Sequence, residues 1–183
     1  METAIVIAGF GGQGVLFAGQ LLAYAGMDAG YHVTWIPSYG PEMRGGTAHC
    51  TVIISDSPIG APVVAHPDLA LVFNLPSFTK YEPRVKPGGL LVVNSGIVHK
   101  QTFRGDIDVV YVDANQIAEN WGTSKMINMA ALGALLAQRP VLPFDVVAQA
   151  LRDHLPARKQ HLLPQNIAVL EQGFKQGARE PSI

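Results

Sequence analysis

The chain has one cysteine, Cys50, among 183 residues, so it can form no internal disulfide and supply no cysteine cluster for an iron–sulfur centre or a structural zinc. Charge is scarce as well. Charged residues make up 15% and hydrophobic residues 48%, against about 25% charged in an ordinary chain, and the apolar surface left over is expected to be covered by a neighbouring subunit. The net charge is −1, with no basic cluster, which excludes a nucleic-acid footprint. The usual catalytic groupings are missing too. His32, His49, His66, His99, His154 and His161 are scattered, with none at HxxxH or HExxH spacing. No GxSxG elbow occurs, and Val15 follows Gly14 where a Walker A lysine would stand. The longest helix-like apolar stretch, residues 126–137, is too short to cross a bilayer. Met1-Glu2-Thr3 leads into a strand with no basic region or signal-length apolar segment, which predicts a cytoplasmic chain without an export signal. A chain of this length is expected to form one domain over residues 1–183, with 177–183 as a flexible tail.

What is present is organised around the stretch IVIAGFGGQGVLFAGQLLAYAG. Ile5 to Ala8 form an unbroken apolar run, the pattern of a strand buried on both faces of a parallel sheet. Gly9, Gly11, Gly12 and Gly14 then permit a tight turn close to whatever lies above it. From Val15 onward, Val15, Ala18, Leu22 and Ala25 fall at helical spacing. A strand running through such a turn into a helix aims unpaired N–H groups and the positive end of the helix dipole at a cleft, a ready anion site. The alternative is that the glycines only allow tight strand-to-helix packing.

Gly9, Gly11 and Gly14 also satisfy the GxGxxG spacing of dinucleotide-binding folds. That reading needs an acidic residue closing the second strand. Here the strand His32-Val33-Thr34-Trp35-Ile36 ends in Pro37-Ser38-Tyr39, with no acid, and Trp35 and Pro37 are expected to crowd an adenosine.

The loop Ser38-Tyr39-Gly40-Pro41-Glu42-Met43-Arg44-Gly45-Gly46 combines turn formers with an acid, a base and an aromatic, and it follows the carboxyl end of a strand as the glycine turn does. In an open α/β sheet both would face one crevice; the plainer alternative is a surface turn with a solvated Glu42–Arg44 pair. Thr47 to Ser55 alternates apolar and polar residues, and the short loop before it predicts a strand antiparallel to its neighbours. Cys50 reads as a small core residue, and His49 as a structural or interface histidine. Residues 56–67 read as loop. Strands are expected over Leu69–Asn74, Leu90–Asn94 and Asp108–Val112, with Pro76 opening a short helix and Asp113 capping another. Asn74 and Asn94 each close a strand and either could line the crevice or cap a turn. The last third is helical. Met126 to Leu136 is apolar all round except Asn128, so this helix is either central or partly covered by a partner; further helices are expected over residues 144–154 and 165–176. The pattern predicts an α/β, Rossmann-like three-layer sandwich with a mostly parallel, mixed central sheet and a helical C-terminal third.

GFGGQGVLFAGQLLA over Gly9–Ala23 and SYGPEMRGG over Ser38–Gly46 resemble the gamma subunit of the 2-oxoacid:ferredoxin oxidoreductases, which is also a domain of the single-chain pyruvate enzymes; TVIISDSPI, KPGGLLVVNS and NMAALGALL add support as far as about Gln176. SYGPE followed by RGG is similar to the 2-oxoglutarate and branched-chain 2-oxoacid members, and the small subunit of the aryl-pyruvate (indolepyruvate) branch carries similar motifs. The resemblance implies oxidative decarboxylation of a 2-oxoacid with coenzyme A to an acyl-CoA, carbon dioxide and reduced ferredoxin. It implies thiamine diphosphate with Mg and [4Fe–4S] clusters in alpha, beta and delta partners, and ferredoxin as acceptor. This chain is then an accessory subunit with no catalytic residue and no metal of its own, shaping the active site or the coenzyme A approach and inactive when isolated. Its site would be the glycine turn (Gly9, Gly11, Gly12, Gln13, Gly14) and the crevice loop (Ser38, Tyr39, Gly40, Pro41, Glu42, Arg44, Gly45, Gly46), with the helix N-terminus and Arg44 suiting a coenzyme A phosphate, or the turn receiving a partner loop. Two readings from other classes remain open at this level, a free-standing nucleotide or acyl-CoA binding module and an NAD-dependent reductase.

Overall fold

The computed structural model, which describes residues 1–38 and 47–179, places six strands in one sheet of order β2-β3-β1-β4-β5-β6. Strands β1 (Glu2–Phe10), β4 (Leu69–Val72), β5 (Leu90–Asn94) and β6 (Asp108–Val112) are parallel. Their central residues are apolar because both faces are covered. Ile5, Ile7, Leu71 and Val92 enter one core, and Val6, Ala8, Val72 and Leu91 the other. β3 (Thr47–Ser55) lies antiparallel to β1 and to β2 (His32–Ser38), as the short preceding loop predicts. β2 is an edge strand, so Pro37 fits inside it without leaving a central ladder short of a donor; the sequence reading ends this strand at Ile36.

One face of the sheet carries α1 (Val15–Asp28), α3 (Ala114–Asn120), α4 (Ile127–Gln138), α5 (Phe144–His154) and α6 (Leu163–Gly177). The other carries α2 (Leu75–Tyr81) and the 3-10 turn Glu82–Arg84. Local chemistry sets the helix starts. Asn74 accepts from the Ser77 N–H (2.8 Å) ahead of α2, and Asp113 accepts from the Gln116 N–H (2.9 Å) ahead of α3. α4 is the central helix: ten of its twelve residues are buried, between the sheet and α6 of the same chain. Of the two alternatives open for this helix, central or partly covered by a partner, the structure shows the central one, with this chain's own last helix as the cover. The two helices approach closely because Gly133 and Gly173 carry no Cβ; one built on Gly173 would run into the Ala130 carbonyl, and one on Gly133 into the Leu170 carbonyl. Among the described residues no helix is long and apolar enough to cross a membrane.

Candidate functional site

β1 and β4 are neighbours, yet α1 after β1 packs on one face and α2 after β4 on the other. This is the topological switch point of the sheet, the position beyond the carboxyl ends of the strands where open α/β sheets bind ligands. The glycine turn stands there. Phe10 and Gln13 close it twice, the Gln13 N–H donating to the Phe10 carbonyl (3.2 Å) and the Phe10 N–H to Gln13 Oε1 (2.6 Å). Gly9 packs so tightly that a Cβ there would stand 2.9 Å from Phe73 Cβ. Gly12 at φ +92° and Gly14 at φ +74° take the left-handed conformations the turn requires. Gly14 is the N-cap of α1; among the described residues no side chain caps that helix, and no acid occupies its first turn, so its first N–H groups face no described side-chain acceptor. Gly11 and Gly12 are exposed, and Gln13 commits its side-chain carbonyl to the turn itself.

The turn is held from behind by a residue that sequence reading noted only as a polar interruption. Asn128, buried at the start of α4, donates from Nδ2 to the Gly14 carbonyl (3.1 Å), which also accepts from the Ala18 N–H (3.0 Å). The signal was available: a single buried amide in an otherwise apolar helix requires a partner.

The α2 side of this end of the sheet is polar: among the described residues, Nδ2 of buried Asn74, Oγ of buried Ser77 and Nδ1 of the half-buried His49 have no hydrogen-bond partner. His49 stands in register with Ala8 of β1 and Ser38 of β2, and its ring lies 5.9 Å from that of Tyr81. Burial, with Lys80 nearby, lowers the His49 pKa below its ordinary 6.5 and keeps the ring neutral; burial pushes the Tyr81 hydroxyl up to about 12. Asn94 does not serve the crevice. Its Nδ2 donates to Asn115 Oδ1 (2.8 Å) and its Oδ1 accepts from the Ala114 N–H (3.1 Å), tying β5 to α3.

Ser38 closes β2 at this end of the sheet, and Thr47 opens β3 opposite Phe10. Tyr39, Gly40, Pro41, Glu42, Arg44, Gly45 and Gly46, the rest of the predicted crevice loop, lie outside the described residues. The dinucleotide reading fails on strand order. β3 occupies the place beside β1, so the end of β2 stands about 10 Å away, where no ribose contact can be made. Trp35, expected to crowd an adenosine, packs instead in the α1-side core, near Gly19 and Cys50. Among the described residues no three His, Cys, Asp or Glu side chains converge as metal ligands. Cys50 is fully buried and burial pushes its thiol up to about 12, a small core residue rather than a nucleophile or cluster ligand.

Residues 4–176 match the pyruvate ferredoxin/flavodoxin oxidoreductase family. The chain belongs to that family. Among its relatives, the ketoisovalerate oxidoreductase subunit VorA of Methanothermobacter marburgensis is 35% identical over 175 residues, 94% of this chain but 36% of that protein. This oxidoreductase-family chain thus spans about a third of the length of the ketoisovalerate relatives. The 2-oxoglutarate synthase subunit KorC of the same organism is 33% identical over 163 residues, covering 85% of this chain and 88% of that one. Among solved structures, the gamma subunit of a keto/oxoacid ferredoxin oxidoreductase from Geobacter sulfurreducens superposes with a TM-score of 0.83 at 28% identity, covering 97% of both chains.

Proposed function

We propose that the chain is the gamma subunit of a 2-oxoacid:ferredoxin oxidoreductase complex. The assembled complex decarboxylates a 2-oxoacid, joins the remaining acyl carbon to the coenzyme A sulfur, releases carbon dioxide and passes the electron pair to ferredoxin. The likeness to a gamma subunit along nearly the whole of both chains carries this reading, and the relatives favour 2-oxoglutarate or a branched-chain 2-oxoacid as substrate. Thiamine diphosphate with Mg and the [4Fe–4S] clusters belong to alpha, beta and delta partners, a division that suits a chain with one buried, high-pKa cysteine.

The contribution of this chain is a wall of the shared crevice. The glycine turn faces it, and the N-terminus of α1, helped by the charge of Arg44, binds a phosphate of coenzyme A. Asn128 fixes the turn so that the backbone donors are in place before the ligand arrives. The test is Gly12→Val in the purified complex. Among the described residues no atom lies near a Cβ at this position, so the new side chain covers the turn without entering the core, at a backbone strain of about 2 kcal/mol from the positive φ. The Michaelis constant for coenzyme A is expected to rise about tenfold, the loss of one charge-assisted hydrogen bond, with that for the oxoacid unchanged. An unchanged constant for coenzyme A contradicts the phosphate site.

A further inference from the structure

β2 is an edge strand that the rest of the chain leaves open. All of its residues, His32–Ser38, pair with β3, and in an antiparallel ladder alternate residues turn their N–H and C=O groups away from the partner strand. Those outward groups are unsatisfied: among the described residues, no hydrogen bond joins residues 32–38 to any element but β3. The strand is also held in shape. α1 backs it closely, because Gly26 leaves room for Val33 and Gly19 for Trp35, so the open row of donors and acceptors is set before anything meets it.

A sheet edge is normally blunted by charge, by shortness or by cover. β6, the edge on the other side, is five residues long and starts with Asp108 in an ion pair with Arg139. β2 carries no Lys, Arg, Asp or Glu and leaves Ile36 42% exposed. Its one protective device is Pro37, which removes a single donor at the carboxyl end and leaves residues 32–36 able to pair. A row of donors and acceptors at strand spacing is matched by one kind of group, the backbone of a second strand. Two copies of this chain joined only through five such residues each would fall short of the roughly 1,200 Å² that a stable interface buries. The edge therefore suits a strand on a subunit that other contacts already hold in place.

We propose that an uncharged strand of another subunit adds beside His32–Ile36 and completes the sheet as its seventh strand. The inference rests on the subunit reading above, and concerns the edge of the sheet rather than its glycine turn. The test compares the intact complex, purified from its host, with the isolated full chain by amide hydrogen exchange resolved to single residues. In the isolated chain every second amide of residues 32–36 is expected to exchange fast, the others being bonded to β3; in the complex that fast set is expected to slow by about a hundredfold or more. With p-benzoylphenylalanine in place of Ile36, irradiation is expected to cross-link this chain to a different subunit. Ile36→Lys places on the edge the charge by which proteins block strand pairing. It is expected to weaken association with the rest of the complex about tenfold, while the isolated chain melts at nearly the same temperature because the side chain is exposed. Fast exchange of the same amides in the complex, cross-links confined to this chain or its copies, or association of Ile36→Lys equal to wild type each overturns the proposal. Wild-type chain that assembles with no other subunit brings down the subunit reading and the completed edge together. Wild-type chain that assembles with these amides still fast brings down the completed edge alone.

Discussion

Asn128 and His49 show how single polar residues are used where α1 and α2 meet the sheet. Asn128 lies in a helix otherwise buried through apolar side chains, and its amide reaches the Gly14 carbonyl across a separation of 114 residues. His49 is held neutral by burial, and this has a definite sign. An unfolded chain takes up a proton at this ring near the ordinary value of 6.5, whereas the folded one refuses it until a lower pH. The stability linked to His49 is therefore fully present above about 6.5 and is lost as the pH falls below it. Denaturant unfolding at pH 7.5 and 5.5 should show wild type losing stability on acidification and His49→Gln losing less; equal losses would contradict the assignment. At this scale Cys50 was legible, because it alternates with Val52 and Ile54 on the apolar side of one strand. The partner of Asn128 was not, since a polar position in a periodic pattern announces a hydrogen bond without naming the acceptor.

Among the elements, α4 and α6 depend on each other through glycines. Gly173 meets the Ala130 backbone and Gly133 meets that of Leu170, a contact too close for any side chain. Gly173→Ala is expected to cost about 3 kcal/mol of unfolding free energy by urea titration, the overpacking penalty of a methyl group forced into backbone. Gly60→Ala, with open space around its Cβ position, should change it by no more than about 0.5 kcal/mol. A Gly173→Ala variant as stable as the Gly60→Ala one would contradict the close packing. Most elements were readable in advance. Asn74 and Asp113 mark helix starts through side-chain capping, the alternation from Thr47 to Ser55 marks a strand, and the brevity of the loop before it sets its direction. The covering of α4 was not readable, because an apolar circumference records burial and is silent about which chain does the burying. Pro37 was misread for a related reason. A proline ends a central strand but rides on an edge, and edge position belongs to the sheet rather than to the segment.

In the whole molecule, the antiparallel insertion of β3 between β1 and β2 separates this fold from a dinucleotide-binding one that shares its glycine spacing. The same switch point is kept, and the second strand is moved out of reach of a ribose bound over the first. The glycine turn was legible because its glycines, the strand before it and the helix after it all pointed to one geometry. The polar group of Asn74, Ser77 and His49 was only partly so, since it is assembled from two strands and a helix start that meet only in the folded sheet. On the subunit reading proposed above, the chain offers the backbone donors of its glycine turn to a shared site and leaves the chemistry to its partners. The most direct test is anaerobic purification of the tagged chain from its native host, followed by assay of the eluate for 2-oxoacid- and coenzyme A-dependent reduction of a low-potential dye. Co-elution of thiamine-binding chains together with that activity is the predicted result. A chain that elutes alone and inactive while those partners are demonstrably expressed would contradict the subunit role.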